Sequence, residues 1–317
     1  MDAVKEISIS QIRGLRIGNA QDEEAKTGVT VLLFDQGARV GVEISGGGPA
    51  SRETPLASPV TADNPVNAIV LSGGSAFGLA AGDGVMRYLE EHGIGYETGY
   101  AKVPLVCQSC IYDLGCGRAD VRPDADMGYA ACVDAKRNRP ACGNVGGGTG
   151  ATVGKLYGME RSMKSGLGFY AAALGNLQMA AVVVVNALGD IYDPDSGRKI
   201  AGLLNADGQG FADTCQELYR ISRRTDLFNS NTTIGAVVTN GKFSKAEMNK
   251  IASMTGNAYA RCIRPVGTMA DGDTVYAAST GEVEADINVA GTLAAEVMAR
   301  AIQKAAGHTH ISQKSIS

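Results

Sequence analysis

One stretch decides the fold of this 317-residue chain: residues 231–239, which read NTTIGAVVT. The apolar run after Thr233 is typical of a buried strand, and a hydroxyl residue preceded by an asparagine stands at its start. If the bond between Asn231 and Thr232 breaks, Thr232 gains a free α-amine beside its own hydroxyl, so one residue carries both nucleophile and base. Such an amine titrates at about 7.7–8.0 and can accept a proton near neutral pH. Taken alone, the stretch is more often an ordinary turn before a strand, so the rest of the chain must decide.

The composition is that of a globular protein. Apolar residues make up 44% of the chain and charged residues 20%, the usual profile of a soluble fold. The net charge of -4 and the lack of a basic block give no indication of nucleic acid or an anionic membrane as partners. The first residues lack the apolar core of a signal peptide, and the longest apolar stretch is too short to cross a bilayer. We therefore expect a cytoplasmic protein, with its seven irregularly spaced cysteines reduced.

Hydrophobic periodicity predicts strands and helices that come in groups. Residues 29–34 and 39–44 read as a hairpin joined by a turn at Asp35-Gln36-Gly37. Further strands are predicted at residues 68–71, 180–185 (ending at Asn186), 234–238 and 275–278. Helices are predicted to end near Glu91, to follow a capping box of Ser244 and Glu247, and to bury an apolar face from Ala290 to Ile302. This grouping favours an α+β layered fold, and no linker divides residues 1–317 into two domains.

The glycine-rich stretch from Gly143 to Lys155 is similar to nucleotide-binding loops but lacks their required residues. A P-loop needs Gly and Ser or Thr at two positions where this chain has Thr149 and Leu156. Residues 146–151 fit G-x-G-x-x-A, but no strand precedes them as dinucleotide binding requires. We therefore predict close backbone packing here, with glycine amides free to face a site.

Two other motifs also carry little chemistry. Ser75 follows a strand, but a nucleophile elbow needs Gly at the position of Phe77, and the chain has only three histidines. Cys107 and Cys110 have C-x-x-C spacing without the second pair of a zinc ribbon or a thioredoxin-like context. We predict buried thiols at these positions and no metal site.

Six blocks, in order along nearly the whole chain, carry a family resemblance. They are residues 18–22 (GNAQD), 48–54 (GPASRET), 71–79 (LSGGSAFGL), 143–155, 231–235 and 264–275. Together they resemble the L-aminopeptidase/D-esterase family, which includes β-aminopeptidases and nylon-oligomer hydrolases. Six ordered blocks are far more specific than any single motif.

The resemblance implies an αββα sandwich of the N-terminal-nucleophile-hydrolase type. It implies self-cleavage between Asn231 and Thr232 into fragments 1–231 and 232–317 that stay associated. It further implies hydrolysis of small peptides or amino-acid amides that have a free amine, without a metal or organic cofactor. The expected assembly is a homotetramer of cleaved protomers.

Five residues match the catalytic pattern of that family, and each has a physical role. Thr232 supplies the nucleophilic oxygen and, once free, the amine base. Asp271 and Asp273 are two apart before a strand, so both carboxylates can face one side and orient the Thr232 ammonium or hydroxyl. Lys155 would keep that amine unprotonated by charge repulsion, and the amide of Asn186 would donate to an oxyanion. Without the resemblance, a solvated Asp-Gly-Asp turn and a satisfied strand-end Asn explain these residues as well.

Weaker candidates form the substrate pocket. We predict Tyr112 as a pocket wall, Asp113 as the contact of the substrate amine, and Gly146 and Gly147 as walls that let the backbone approach the substrate. The family often has apolar residues in the region of Cys107, Cys110 and Cys116, so the cysteines affect pocket shape more than chemistry.

Two alternatives stay open at this point. One is an acyltransferase resembling the ornithine acetyltransferases, in which the acyl group on threonine passes to an amine instead of water. The other is a non-catalytic binding protein that keeps the fold and stays uncut.

Overall fold

The structure, a computed structural model, describes residues 3–221 and 231–307. Its strands are β1 (Lys5–Glu6), β2 (Arg16–Asp22), β3 (Thr27–Ile44), β4 (Ala50–Arg52), β5 (Val66–Ser72), β6 (Tyr96–Glu97), β7 (Lys102–Val103), β8 (Val106–Cys110), β9 (Thr152–Val153), β10 (Met163–Lys164), β11 (Leu167–Leu174), β12 (Leu177–Asn186), β13 (Asp190–Tyr192), β14 (Lys199–Ala201), β15 (Thr232–Gly241), β16 (Ile263–Arg264) and β17 (Thr274–Val283). Its α-helices are α1 (Ala81–Glu91), α2 (Ala125–Asp134), α3 (Thr214–Ile221), α4 (Lys245–Cys262) and α5 (Ile287–Ala306).

Strand β3 connects two sheets. Its second half pairs with β17 in the order β1-β11-β12-β15-β17-β3, and its first half pairs with β2 and β5, which lead to β8 and β4. The hairpin predicted for residues 29–44 is therefore wrong. The register against β5 shifts between Leu33 and Ala38, and Gly37 has a φ of 72°, so the backbone bulges and bends at this point instead of reversing.

Three apolar cores separate four layers. Leu32 and Ile69 of one sheet pack against Ile234 and Tyr276 of the other. Helices α4 and α5 cover the outer face of the sheet that contains β12, β15 and β17. Helices α1 and α2 cover the outer face of the sheet that contains β5 and β8. The order of layers is thus helix, sheet, sheet, helix.

Strand β12 shows why the sequence folds this way. Val182 and Val184 face the core between the sheets, while Val183 and Val185 face α4 and α5. Because successive side chains of a strand point to opposite faces, a strand buried on both faces needs the continuous apolar run seen here. The strands predicted at 68–71, 180–185, 234–238 and 275–278 are confirmed, as is the capping box of α4.

The C-x-x-C motif lies on β8, where its two thiols belong to different environments. Cys107 is part of the core between the sheets, and Cys110 lies 3.0 Å from the hydroxyl of Ser72. Residues three apart on a strand face opposite sides, which keeps the two sulfurs from forming a shared site. Both thiols are free and buried, as predicted.

No helix among residues 3–221 and 231–307 is long and apolar enough to cross a membrane.

Candidate active site

Three neighbouring strands bring the predicted catalytic residues together. Asn186, the last residue of β12, pairs directly with Thr232, the first residue of β15. Asn231 forms an isolated parallel bridge with Asp271, just before β17 begins. The site therefore lies at one end of the central strands, where each strand ends or starts in a polar side chain.

The predicted cleavage position is buried and tightly contacted. Thr232 is only 5% exposed, and its hydroxyl donates to the carbonyl oxygen of Asn231. The main-chain N–H of Gly272 donates to the same oxygen at 3.0 Å. The side-chain amide of Asn231 points to the carbonyl of Ala270 at 3.5 Å. The threonine oxygen thus lies against the carbonyl that a self-cleavage reaction would attack.

Lys155 reaches the end of β12 from the loop after β9. Its Nζ donates to the main-chain oxygen of Asn186 at 2.9 Å and to Asn186 Oδ1 at 2.8 Å. Burial lowers the pKa of Lys155 to about 7, against the opposing effect of the negative charges of Asp271 and Asp113. A substantial fraction of this amine is neutral at physiological pH and can accept a proton.

The side chain of Asn186 is fixed by its neighbours. Its Oδ1 accepts from Lys155 and also from the main-chain N–H of Thr152 at 3.0 Å. Its Nδ2 donates to the carbonyl of Tyr112 at 3.0 Å. These partners define which atom is oxygen and which is nitrogen, and they engage the amide that was predicted to serve an oxyanion in hydrogen bonds within the fold.

The Asp-Gly-Asp segment is not a solvated turn, since Asp271 is 1% and Asp273 0% exposed. Asp273 accepts the main-chain N–H of Thr233 at 2.6 Å through Oδ1 and that of Gly267 at 2.9 Å through Oδ2. Burial, with the charge of Asp271 adding to it, raises the pKa of Asp273 to about 7. Burial also raises the pKa of Asp271. Burial of both carboxyl groups, together with the charge of Asp271 next to Asp273, therefore favours their protonated forms.

A small cavity of about 90 Å³ opens beside Lys155. Its walls include Tyr112, Asp113, Cys116, Thr152 and Met159. The carboxylate of Asp113 accepts from the N–H of Gly74 and from the hydroxyl of Thr27, each at 2.7 Å. Burial raises the pKa of Asp113, while Lys155 favours its ionised form. The predicted pocket residues Tyr112 and Asp113 thus share one cavity with Lys155.

Gly146 and Gly147 lie elsewhere, against β2, β3 and β5. The N–H of Gly146 donates to Gln21 Oε1 and that of Gly147 to the hydroxyl of Thr30, both at 3.0 Å. A Cβ on Gly147 would lie 2.5 Å from the carbonyl oxygen of Leu71. Close packing was predicted here correctly, but these amides are used inside the fold and do not face the cavity.

Several residues of the site were not identified from the sequence. Thr268 holds Asp271 Oδ2 through its main-chain N–H at 3.0 Å, and a threonine three residues before an aspartate is a recognisable turn signal. Thr152 orients Asn186, and Met159 covers part of the cavity, but neither residue carries a distinctive pattern. Gly272 contributes only its main-chain N–H, which no side-chain motif can indicate.

Comparison with known families identifies the class of protein. The profile of peptidase family S58 matches residues 8–312. An uncharacterised aminopeptidase of Mycobacterium tuberculosis is 38% identical over 324 residues, covering 93% of this chain and 92% of the relative. A 6-aminohexanoate-oligomer endohydrolase of Kocuria sp. is 33% identical, covering 92% of this chain and 84% of the relative. The chain therefore belongs to peptidase family S58.

Solved structures agree on the fold. The L-aminopeptidase D-Ala-esterase/amidase of Ochrobactrum anthropi, described as a variant of the Ntn-hydrolase fold, superposes with a TM-score of 0.71 at 16% identity, covering 94% of this chain and 85% of that one. A β-aminopeptidase of Burkholderia sp. gives a TM-score of 0.67 at 19% identity, covering 96% of this chain and 88% of that one. The architecture is that of the Ntn-hydrolase-like aminopeptidases, as the resemblance implied, and the chain is a peptide hydrolase by family.

Proposed function

We propose that this protein is a self-processing aminopeptidase that cleaves small aminoacyl amides through an acyl-enzyme on Thr232. The observation that carries the proposal is the contact between the hydroxyl of Thr232 and the carbonyl oxygen of Asn231. The contact lies in a buried cluster that also holds Asn186, Asp271 and Asp273.

Two reactions would use the same hydroxyl. In the first, Thr232 Oγ attacks the carbonyl carbon of Asn231, the C–N bond breaks, and water hydrolyses the resulting ester. In the second, the freed α-amine of Thr232 takes the hydroxyl proton while Oγ attacks the substrate carbonyl carbon. The substrate C–N bond then breaks, the amine leaves with that proton, and water hydrolyses the acyl-enzyme ester. Lys155, with its pKa lowered to about 7, exchanges its proton near neutral pH and can relay protons. Asn186 and main-chain amides would stabilise the oxyanion.

The cavity supports a small substrate residue with a free amine. The carboxylate of Asp113 accepts from Gly74 and Thr27 and lines the cavity, where it can also accept from an ammonium group. A dry cavity of about 150 Å³ holds benzene. The volume of about 90 Å³ found here therefore suits roughly three or four non-hydrogen atoms, such as the amine, Cα and methyl group of an alanyl residue, and not a leucyl side chain.

The decisive assay compares alanine p-nitroanilide with its N-acetyl form. We expect kcat/KM to fall about ten- to a hundredfold on acetylation, because a charge-assisted contact with Asp113 is lost. Asp113→Asn should remove this discrimination. Thr27→Val, which deletes one hydrogen bond to Asp113 but keeps its carboxyl group, should preserve most of it.

Other outcomes would point to different functions. Equal rates on free and acetylated substrates would contradict an amine site and favour a general amidase. Faster acyl transfer to ornithine or glutamate than to water would favour an acyltransferase, and an uncut, inactive chain would favour a binding protein.

The family resemblance also supports our proposal that processed protomers form a homotetramer, which light scattering would test.

A further inference from the structure

The carbonyl oxygen of Asn231 has two donors, and only one of them belongs to the predicted nucleophile. The hydroxyl of Thr232 is the first, and the main-chain N–H of Gly272, 3.0 Å away, is the second. Gly272 stands between the two aspartates that carry the acid–base chemistry, yet it has no side chain to suggest a role of its own.

We infer that the main-chain N–H of Gly272 is the oxyanion donor of the self-cleavage reaction. The inference rests on the proposed self-cleavage. Attack by Thr232 Oγ on the carbonyl carbon of Asn231 turns the carbonyl oxygen into an oxyanion. A lone pair of the oxyanion then re-forms the carbonyl double bond as the C–N bond breaks. The hydroxyl proton passes to the nitrogen of Thr232. Donors that lie about 2.7–3.1 Å from the developing oxyanion are the ones that accelerate such steps.

The neighbours of Gly272 fix the direction of its N–H. On one side, the carbonyl oxygen of Asp271 accepts the N–H of Gly48 at 2.8 Å. On the other side, the carboxylate of Asp273 accepts the main-chain N–H groups of Thr233 and Gly267. A donor held in place before the reaction needs no reorganisation when charge develops, which is the condition for strong electrostatic stabilisation.

The same position leaves room only for glycine. A Cβ on Gly272 would lie 2.9 Å from Thr232 Oγ and 2.7 Å from the carbonyl oxygen of Gly48. The nucleophile therefore occupies the space that a side chain would need. Self-cleavage and turnover then use different donors, with Gly272 serving the first reaction and the Asn186 amide proposed for the second.

An amide-to-ester exchange tests this donor directly. Cell-free translation with glycolic acid in place of Gly272 replaces the N–H by an ester oxygen and adds no atoms toward Thr232. The matched control places glycolic acid at Gly48. Both exchanges disturb the hydrogen bond from Gly48 to Asp271: the Gly272 ester turns the Asp271 carbonyl into a poorer ester acceptor, and the Gly48 ester removes the N–H donor. Only the Gly272 ester removes the donor to Asn231.

Self-cleavage of radiolabelled chains is followed on gels within the protease-resistant, folded fraction. We expect the Gly272 ester to cleave about 10²-fold or more slowly than the wild type. The Gly48 ester should stay within about tenfold of the wild-type rate, as for the loss of one neutral hydrogen bond. Equal rates for the two esters would overturn the role of Gly272 while leaving self-cleavage intact. A wild-type chain that stays uncut would instead overturn the proposed self-cleavage.

Discussion

The buried Lys155 and the half-buried Lys199 both lie near buried aspartates, and they differ in what they contact. The Nζ of Lys199 lies 2.6 Å from a carboxylate oxygen of Asp190. The same carboxylate group accepts the N–H of Leu203 and both the N–H and the hydroxyl of Thr214. Lys155 donates instead to the two oxygens of Asn186.

The difference separates a structural ion pair from a titratable site. All acceptor capacity of Asp190 is used, and the pair ties β13 and β14 to the start of α3. At Lys155 two of the ligands are neutral amide oxygens of Asn186, and the negative charges of Asp271 and Asp113 oppose the effect of burial on its pKa. Burial then dominates and lowers the pKa of Lys155 to about 7, which is useful for moving protons.

The strongest test applies one substitution to both lysines. We expect Lys155→Met to lower kcat by about 10³-fold or more, because a positioned proton carrier is lost, with little change in the free energy of unfolding. We expect Lys199→Met to leave the kcat of the folded protein nearly unchanged. It should cost about 3–5 kcal/mol of stability, because Asp190 loses its cation. Denaturant titration measures the stability of both variants, and steady-state kinetics measures their turnover. A Lys155 variant that mainly loses stability, with a Lys199 variant that mainly loses turnover, would refute the comparison.

A second test compares the aspartates. Asp271→Asn and Asp273→Asn should each lower kcat by on the order of 10²-fold or more, the usual scale of a positioned acid–base group. The fold should survive, since each change disturbs few hydrogen bonds. Asp190→Asn is the matched control, and it should reduce stability more than turnover. Near-normal turnover in both Asp271 and Asp273 variants would return this pair to a purely structural role.

The smallest expected effect is a shift in the pH profile. With saturating alanine p-nitroanilide, kcat should rise with pH through about 7, as Lys155 and Asp273 lose protons. The charge of Asp271 raises the pKa of both groups. Asp271→Asn should therefore move the acid limb of the residual activity to lower pH by about one unit. A limb that stays in place or moves to higher pH would show that other groups control the rate.

Much of this site could be predicted from the sequence because its residues lie at strand ends. Asn186 ends and Thr232 begins two almost completely buried strands, and those strands pair with each other. Asp271 and Asp273 precede a third strand of the same sheet. Strong local patterns therefore placed the side chains at one edge before any contact was known.

The remaining features depend on long-range pairing. The bend of β3 arises because its halves pair with strands of different sheets, and local turn residues such as Gly37 cannot distinguish a bulge from a reversal. The N–H directions of Gly146, Gly147 and Gly272 likewise follow from the packing around them. A sequence motif specifies side chains, so it cannot identify a main-chain N–H donor.

The central claim, that Thr232 is released by self-cleavage, is tested most directly by intact mass spectrometry of the purified protein. The account predicts two masses for the wild type, corresponding to residues 1–231 and 232–317, with Thr232 as the N-terminus of the smaller fragment. Thr232→Ala should give one uncut mass and no turnover. A wild-type chain that hydrolyses alanine p-nitroanilide while intact, or a fragment that begins at Thr233, would contradict the claim.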